Sequence, residues 1–420
     1  MSPREYSEAR LHSVLEEIDR LRESDFPYAH SREALDLLRG LYAEHLSKLR
    51  SLPPSKDAAI VNGFCREALL DIFRYFPFLG FILRATNVRN AFEVHGPLLR
   101  LCKEVIGPDA KLILSSEWNF SPFTFPEQRP LPNFVLIGLP ASETDNPLLL
   151  PLAGHELGHT IWGAKDFEAK YYGDVERNII EAIATDIVAY QKYFPNHQVN
   201  IGDKFAELNV NIFVKRTIAS VVTLALSRAQ EYFCDCTGVY LFDEAFLNAF
   251  AYLVSPSIGC PRSPNYPNNL ARIQNMINAA EHFRKTNTNI YNIPPNFASL
   301  FEDSPEAGDA EQKYLSGLAD LSSTKLCPAL ILESESLLKS VSAPQLTPSI
   351  RDAIIEEFKI GVPAGNAENV TNILNAGWAV YRNTATFWPN IPDQRQCKRV
   401  LSNLMIKNIE LLEIEYRRNK

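Results

Sequence analysis

The stretch from Pro147 to Thr160 limits most strongly how this chain can fold, because it sets His155, Glu156 and His159 in an otherwise apolar segment. Proline, leucine and alanine precede these three residues and Ile-Trp follows the stretch, so the sequence predicts a mostly buried helix. Burying two imidazoles and a carboxyl group without partners costs on the order of several kcal/mol. The segment therefore needs partners from elsewhere in the chain. The plainer alternative is a buried helix whose histidines make ordinary hydrogen bonds.

The motif His-Glu-x-x-His in this helix points to metal binding. Residues four apart project from one face of a helix, so His155 and His159 can bind a single zinc ion. Glu156 then lies where a carboxylate can take a proton from a water molecule that the metal activates. The expected cofactor is Zn²⁺, with Glu156 as the catalytic base.

Composition and charge are typical of a globular protein and argue against one class, the nucleic-acid-binding proteins. The chain has 420 residues, of which 46% are hydrophobic and 22% charged, as is typical of a globular protein. A formal net charge of −8 without a basic stripe argues against a protein that binds nucleic acid through bulk electrostatics.

The chain also lacks the patterns of secretion and membrane insertion. Its polar start has no apolar signal region, and its most apolar candidate span, Ile218–Leu226, has about half the length that a membrane crossing needs. Seven dispersed cysteines are typical of free thiols in a reducing compartment. Cys234 and Cys236 would diverge on a helix, so we do not expect them to bind a metal together. We expect a cytoplasmic protein without a membrane anchor.

Hydrophobic periodicity predicts a mainly α (α+β) fold with a small β-sheet. Strands are expected at 110–116 and 133–139, and a loop is expected at 166–173. The third predicted helix should end at Phe76-Pro77, because proline disrupts a helix interior. The predicted helices cover 5–22, 31–50, 57–75, 88–106, 174–193, 203–243, 244–254, a stretch that starts at 270, 310–342, 347–359 and 393–418.

Changes of composition suggest three domains: an N-terminal helical region at 1–105, a catalytic core at 106–285 and a C-terminal helical region at 286–420. The strand at 133–139 precedes the histidine helix closely. A metallopeptidase holds the substrate backbone by adding it to an exposed strand edge. This strand is either that edge or an ordinary interior strand, and the sequence leaves both open.

Two glutamates compete to be the third protein ligand that a catalytic zinc usually has. Glu231 has Asp235 at i+4, so both carboxylates lie on one helical face that the apolar flanks draw inward. Glu181 has Asp186 at i+5, about 140° around the helix, which is a poorer arrangement. The spacing favours Glu231, with Asp235 orienting a histidine ligand, and leaves Glu181 as the alternative.

Three motifs occur in order: His155-Glu-Leu-Gly-His159, then Ser-Arg-x-x-Glu231-x-x-x-Asp235, then Pro-Asn-Tyr266-Pro-x-x-x-x-Arg272-Ile. Together they resemble the gluzincin metallopeptidases, in particular the HtpX and CAAX-prenyl-protease type, over residues 150 to 275. The resemblance implies a zincin-like core in which His155, His159 and Glu231 bind zinc. It also implies that Glu156 is the general base and that Asp235 orients a histidine ligand without binding the metal itself.

This chain departs from that pattern at two points. The similar families carry transmembrane helices, so this chain would be a soluble relative, and Tyr266 stands where their third motif has histidine. Tyr266 or Arg272 is expected to donate to the oxyanion that forms during hydrolysis, although Arg272 could instead form an ion pair with Asp235. The segment after Glu181 also resembles thermolysin, except for one extra residue before Asp186.

The sequence thus predicts a zinc-dependent metallopeptidase whose partner is a peptide or protein substrate, with neither nucleic acid nor a membrane as partner. Two alternatives stay open. One is a helical scaffold or binding protein that keeps zinc for stability, and the other is a hydrolase of non-peptide amides. The sequence does not predict the substrate or the oligomeric state.

Overall fold

The computed structural model of the protein describes residues 2–53, 57–85, 92–119, 121–125, 130–143, 145–197, 212–255, 262–286, 292–303, 306–391 and 393–419. In these parts the chain is mainly helical, with one small three-stranded sheet, as the sequence predicts. It divides into two compact units, Met1–Lys103 with Gly107–Asp145 and Glu104–Ile106 with Asn146–Lys420. The domain boundaries expected after residues 105 and 285 stay predictions.

The first unit contains three long helices that pack against one another: α1 (Pro3–Arg22), α2 (Ala29–Ser51) and α3 (Ala58–Arg84). A shorter helix, α4 (His95–Val105), follows them. Helix α1 begins with a capping box, in which the Ser2 hydroxyl accepts from the Glu5 amide and the Glu5 carboxylate accepts from the Ser2 amide. The amphipathic stripes of these helices form the core of the unit.

Helix α3 continues through Pro77, so the prediction that it ends at Phe76-Pro77 is wrong. An interior proline costs about 3 kcal/mol, because one backbone hydrogen bond is lost. The turns after Pro77 bury Phe78, Phe81 and Ile82 in the core of the unit, and this burial offsets the cost. Apolar residues beyond the proline therefore decide where the helix ends.

The sheet consists of β1 (Lys111–Glu117), β2 (Phe123–Thr124) and β3 (Phe134–Pro140) in the order β1-β3-β2. Strand β3 pairs in parallel with β1 along its whole length and antiparallel with β2 at Ile137 and Gly138. Both predicted strands are confirmed. Strand β1 covers one side of β3 completely, whereas β2 covers the other side only at Ile137 and Gly138, so β3 is an interior strand at those two residues.

The second unit is a helical assembly around one long helix. Its helices are α5 (Ala153–Ala164), α6 (Phe167–Thr185), α7 (Ile187–Tyr193), α8 (Ile212–Phe242), α9 (Glu244–Val254), α10 (Asn269–Thr286), α11 (Ala310–Ser340), α12 (Pro348–Lys359), α13 (Val370–Tyr381), α14 (Thr384–Phe387) and α15 (Gln394–Arg418). Every residue of α8 from Glu231 to Phe242 is buried, because α5, α6, α10 and α11 pack around it. Polar residues on this part of α8 must therefore find partners inside the unit.

The segment after α5 differs from its prediction. The expected loop at 166–173 is helical, because α6 already begins at Phe167, which packs with Trp162 and Phe233 in the core. The helix predicted for 174–193 is broken at Asp186, whose carboxylate caps α7 by accepting from the Ala189 amide at 3.0 Å. The predicted starts of two helices, 88–91 and 203–211, lie outside the described residues.

The remaining predicted helices are confirmed, with ends that differ by a few residues. Helix α11 begins with a capping box between Asp309 and Gln312, and α15 ends in Arg417 and Arg418, which suit the negative end of a helix dipole. No helix in the described ranges combines the length and apolar character that crossing a membrane requires.

Candidate metal centre

Helix α5 places His155 and His159 on successive turns of one face. Their Nε2 atoms lie 3.2 Å apart, and the ring planes are nearly perpendicular, at 82°. Two imidazole nitrogens face each other at this distance stably only when a proton or a metal ion lies between them. The pair could therefore hold a cation between its two Nε2 atoms.

Helix α8 brings Glu231 to the same point. One carboxylate oxygen of Glu231, Oε2, lies 3.4 Å from His155 Nε2, and the other, Oε1, lies 3.6 Å from His159 Nε2. Ligands about 2.0–2.1 Å from a tetrahedral zinc ion lie about 3.3 Å from one another. The three donor groups thus have nearly the spacing that one tetrahedral ion requires.

A buried oxygen of Glu231 supports the fit of a cation at this point. Oε2 of Glu231 is buried and accepts no hydrogen bond within the described parts of the chain, although Arg272 Nη2 lies 3.2 Å away. Glu156 and Asp235 are also buried, so three carboxyl groups converge near one guanidinium. A divalent cation between His155, His159 and Glu231 would balance this charge.

Asp235 fixes the orientation of His155 from behind. A carboxylate only accepts hydrogen bonds, so His155 Nδ1 carries the proton and donates it to Asp235 Oδ1 at 2.9 Å. Nε2 is therefore the nitrogen of His155 that can bind a metal ion, once it has lost its own proton. Arg272 holds the other side of Asp235 with two bonds, Nε to Oδ2 at 2.5 Å and Nη2 to Oδ1 at 2.8 Å.

Small residues let α5 and α8 come close enough to share the site. A β-carbon on Gly158 would lie 2.6 Å from the Cα of Cys234, and one on Gly154 would lie 3.1 Å from the Cα of Gly238. Both pairs are spaced by four residues, so they line the same faces of the two helices. Side chains at these positions would hold Glu231 away from the histidines.

The surroundings shift the pKa values of His155, His159 and Glu231. Burial acts to lower the pKa of His155, but hydrogen bonds to Asp235 and Glu231 outweigh it and raise that pKa to about 10. Burial and the charge on His155 lower the pKa of His159 to about 4. Burial opposes ionisation of Glu231, but the bond to His155 and the charge on Arg272 lower its pKa to about 2. One histidine therefore carries the proton that a metal would replace.

Glu156 is buried beside the histidines at 6% exposure. Burial raises the pKa of its carboxyl group to about 7, against the opposing effect of the charge on His155. A carboxyl group with such a pKa can both take up and release a proton near neutral pH. Glu156 thus has the chemical property of a general base.

Tyr266 and Arg272 both reach the site, in different roles. The guanidinium carbon of Arg272 lies 5.9 Å from the centre of the Tyr266 ring, and Tyr266 is 48% exposed. The negative charge of Glu231 raises the pKa of the Tyr266 phenol. Nε and Nη2 of Arg272 bind Asp235, so the structure contains the ion pair that the sequence analysis named as the alternative role of Arg272.

Two buried arginines hold the loop that presents Tyr266. Arg228, on the same helix as Glu231, donates to the Pro264 carbonyl from Nε at 3.0 Å and from Nη2 at 2.8 Å. Arg262 pairs with Asp320 at 2.6 Å. Asp320 also pairs with Arg228 at 2.8 Å, so the loop is tied to the helix that carries the carboxylate ligand.

The structure does not bring Glu181 to the histidines. Its side chain is 46% exposed and lies 4.0 Å from Lys325, and Asp186 caps α7. Geometry therefore favours Glu231 over Glu181 as a ligand, and the choice stays a prediction until metal binding is measured.

Cys234 also lies beside the two histidines, a position that the sequence did not predict. Potential ligand atoms of His155, His159 and Cys234 all lie within 4.8 Å of one another. Cys236 diverges from them, as expected, and accepts from Asn275 Nδ2 at 3.4 Å. The signal was present in the sequence, because Cys234 lies three residues after Glu231 and so shares its helical face.

Comparison of the chain with protein-family models, curated proteins and solved structures finds no match.

Proposed function

We propose that this protein is a zinc-dependent metallopeptidase of the gluzincin type, with a zincin-like core formed around α5 and α8. The observation that carries the proposal is the triangle of His155 Nε2, His159 Nε2 and the Glu231 carboxylate, with separations of 3.2, 3.4 and 3.6 Å. The bond from His155 Nδ1 to Asp235 supports it further, because it turns Nε2 of His155 towards Glu231.

Zinc at this position would supply a Lewis acid that polarises the scissile carbonyl and lowers the pKa of a water molecule towards 7. The other parts of the mechanism belong to the side chains. Glu156 takes a proton from water on its carboxylate and passes it to the leaving amine, which its raised pKa permits. Tyr266 donates its phenol hydrogen to the oxyanion of the tetrahedral intermediate.

Asp235 and Arg272 act through their neighbours. Asp235 keeps His155 in the tautomer that leaves Nε2 free, and Arg272 compensates the buried charges of Asp235 and Glu231. Neither residue needs to touch the substrate. The substrate in this proposal is a peptide or protein, and the same groups could hydrolyse a non-peptide amide.

A cleavage assay on a random peptide library tests the proposal. Zinc-loaded wild-type protein should cleave peptides, and Glu156→Gln should bind zinc as tightly as wild type while losing activity roughly a hundredfold to ten-thousandfold. Glu168→Gln, an exposed acid on α6, is the matched control and should retain full activity. Absence of cleavage by the loaded wild type, or wild-type rates in Glu156→Gln, would refute the proposal.

A further inference from the structure

The thiol of Cys234 lies on the buried side of the two histidines. Cys234 is 0% exposed, and its potential ligand atom lies within 4.8 Å of those of His155 and His159. A β-carbon on Gly158 would lie 3.0 Å from Cys234 Sγ. Gly158 belongs to the turn that joins the two histidines, so the sulfur is held against the backbone between them.

Helix α8 therefore places two potential ligands, a carboxylate and a thiol, on the side that faces the histidines. Glu231 and Cys234 are three residues apart and project from one face, whereas Cys236 points away to Asn275. Glu231 lies 3.4 and 3.6 Å from the Nε2 atoms of His155 and His159, so the carboxylate and the thiol face the same pair of imidazoles.

We infer that Cys234 supplies a sulfur ligand to the metal ion that His155 and His159 bind. The inference rests on the proposed metal site and adds a means of regulating it. With Glu231 also bound, the ion would have four protein ligands, so sulfur competes with water for the coordination position that hydrolysis needs. When the sulfur binds, the thiol proton passes to solvent, and nothing is oxidised or reduced. The sulfur also selects thiophilic ions such as zinc over magnesium or calcium.

Cobalt(II) tests the inference directly, because a thiolate ligand adds an intense charge-transfer absorption in the near ultraviolet. The full-length protein loaded with a molar equivalent of Co²⁺ should show this absorption. Cys234→Ser should lose it while cobalt stays bound to the histidines. Cys236→Ser is the matched control, since it replaces a neighbouring buried thiol that faces away, and it should retain the absorption.

The outcomes separate this inference from the proposed function. Wild-type protein that binds cobalt stoichiometrically without the charge-transfer absorption overturns the inference and leaves the metal site standing. Wild-type protein that binds no cobalt overturns both. If Cys234→Ser does not fold, X-ray absorption on zinc-loaded wild type decides instead. A sulfur shell at about 2.3 Å supports the inference, and a spectrum with nitrogen and oxygen shells alone refutes it.

Discussion

A β-carbon on Gly158 would lie 2.6 Å from the Cα of Cys234, so α5 and α8 cross without room for a side chain between them. This crossing joins the two halves of the candidate site. One helix carries both histidines and the other carries Glu231, so a shift of either backbone by about an ångström would change both distances from Glu231 to the histidines. Gly158 is therefore needed for the geometry of the site, although it supplies no ligand atom.

Replacing this glycine should damage both stability and metal binding. Gly158→Ala should lower the free energy of unfolding by about 1–3 kcal/mol, because the added methyl group forces the helices apart. Zinc affinity should fall roughly tenfold to a hundredfold. Urea unfolding and a competitive zinc titration measure the two effects.

The matched control is Gly163→Ala on the same helix, where a β-carbon would meet nothing within 4 Å. This variant should keep its zinc affinity and gain up to about 1 kcal/mol of stability, since alanine is the better helix former. If Gly158→Ala behaves like Gly163→Ala, the close crossing does not position the site.

The bond between Asp235 and His155 should contribute to metal affinity. In Asp235→Asn the charge that holds the His155 tautomer is lost, and Arg272 loses its main partner. Zinc affinity should fall roughly tenfold to a hundredfold, as measured by competition with a chelator under conditions where circular dichroism shows a folded protein. Asp174→Asn removes an exposed acid at 53% side-chain exposure and should leave affinity unchanged. Equal affinities in the two variants would contradict the supporting role of Asp235.

Zinc binding should release a proton from the site. The pKa of His155 in the metal-free protein is raised to about 10, and that of His159 is lowered to about 4, so His155 alone is protonated at neutral pH. A metal ion needs the neutral imidazole and displaces this proton. Apparent zinc affinity should therefore rise roughly tenfold per pH unit between pH values of about 7 and about 10 and level off above that range.

Calorimetric titration in two buffers of different ionisation enthalpy counts the released protons. Glu156→Gln is the informative background, because the pKa of Glu156 is about 7 and a nearby dication would lower it and release more protons. In that variant the release should be close to a single proton per zinc ion. No release in Glu156→Gln would contradict the assignment of the proton to His155.

Local patterns in the sequence account for much of the fold and of the site. The spacing of His155 and His159, and of Glu231 and Asp235, depends only on helical periodicity, and the structure places all four together. Most of the helices and the two longer strands follow from periods of apolar residues in the same way, although α13 and α14 were not predicted. Such patterns can be predicted from the sequence because each of them depends on a single helix or strand and not on contacts between elements.

Features that depend on contacts between elements could not be predicted. Helix α3 continues through Pro77 because its last turns bury aromatic side chains, and α6 begins early because Phe167 packs on Trp162 and Phe233. The place of Cys234 beside the histidines depends on how α5 and α8 cross. A pattern within one helix indicates which face is apolar, but it does not indicate which residues of other elements pack against that face.

Zinc stoichiometry in two glutamate variants tests the central claim most directly. Wild type and Glu181→Gln, which alters the exposed alternative ligand, should each bind a single zinc ion per chain with equal affinity by mass spectrometry after dialysis at limiting zinc. Glu231→Gln should bind zinc roughly tenfold to a hundredfold more weakly, because an amide oxygen is a weaker ligand and leaves the positive charge uncompensated. Zinc retained at wild-type affinity in Glu231→Gln, or lost in Glu181→Gln, would contradict the metal centre described for His155, His159 and Glu231.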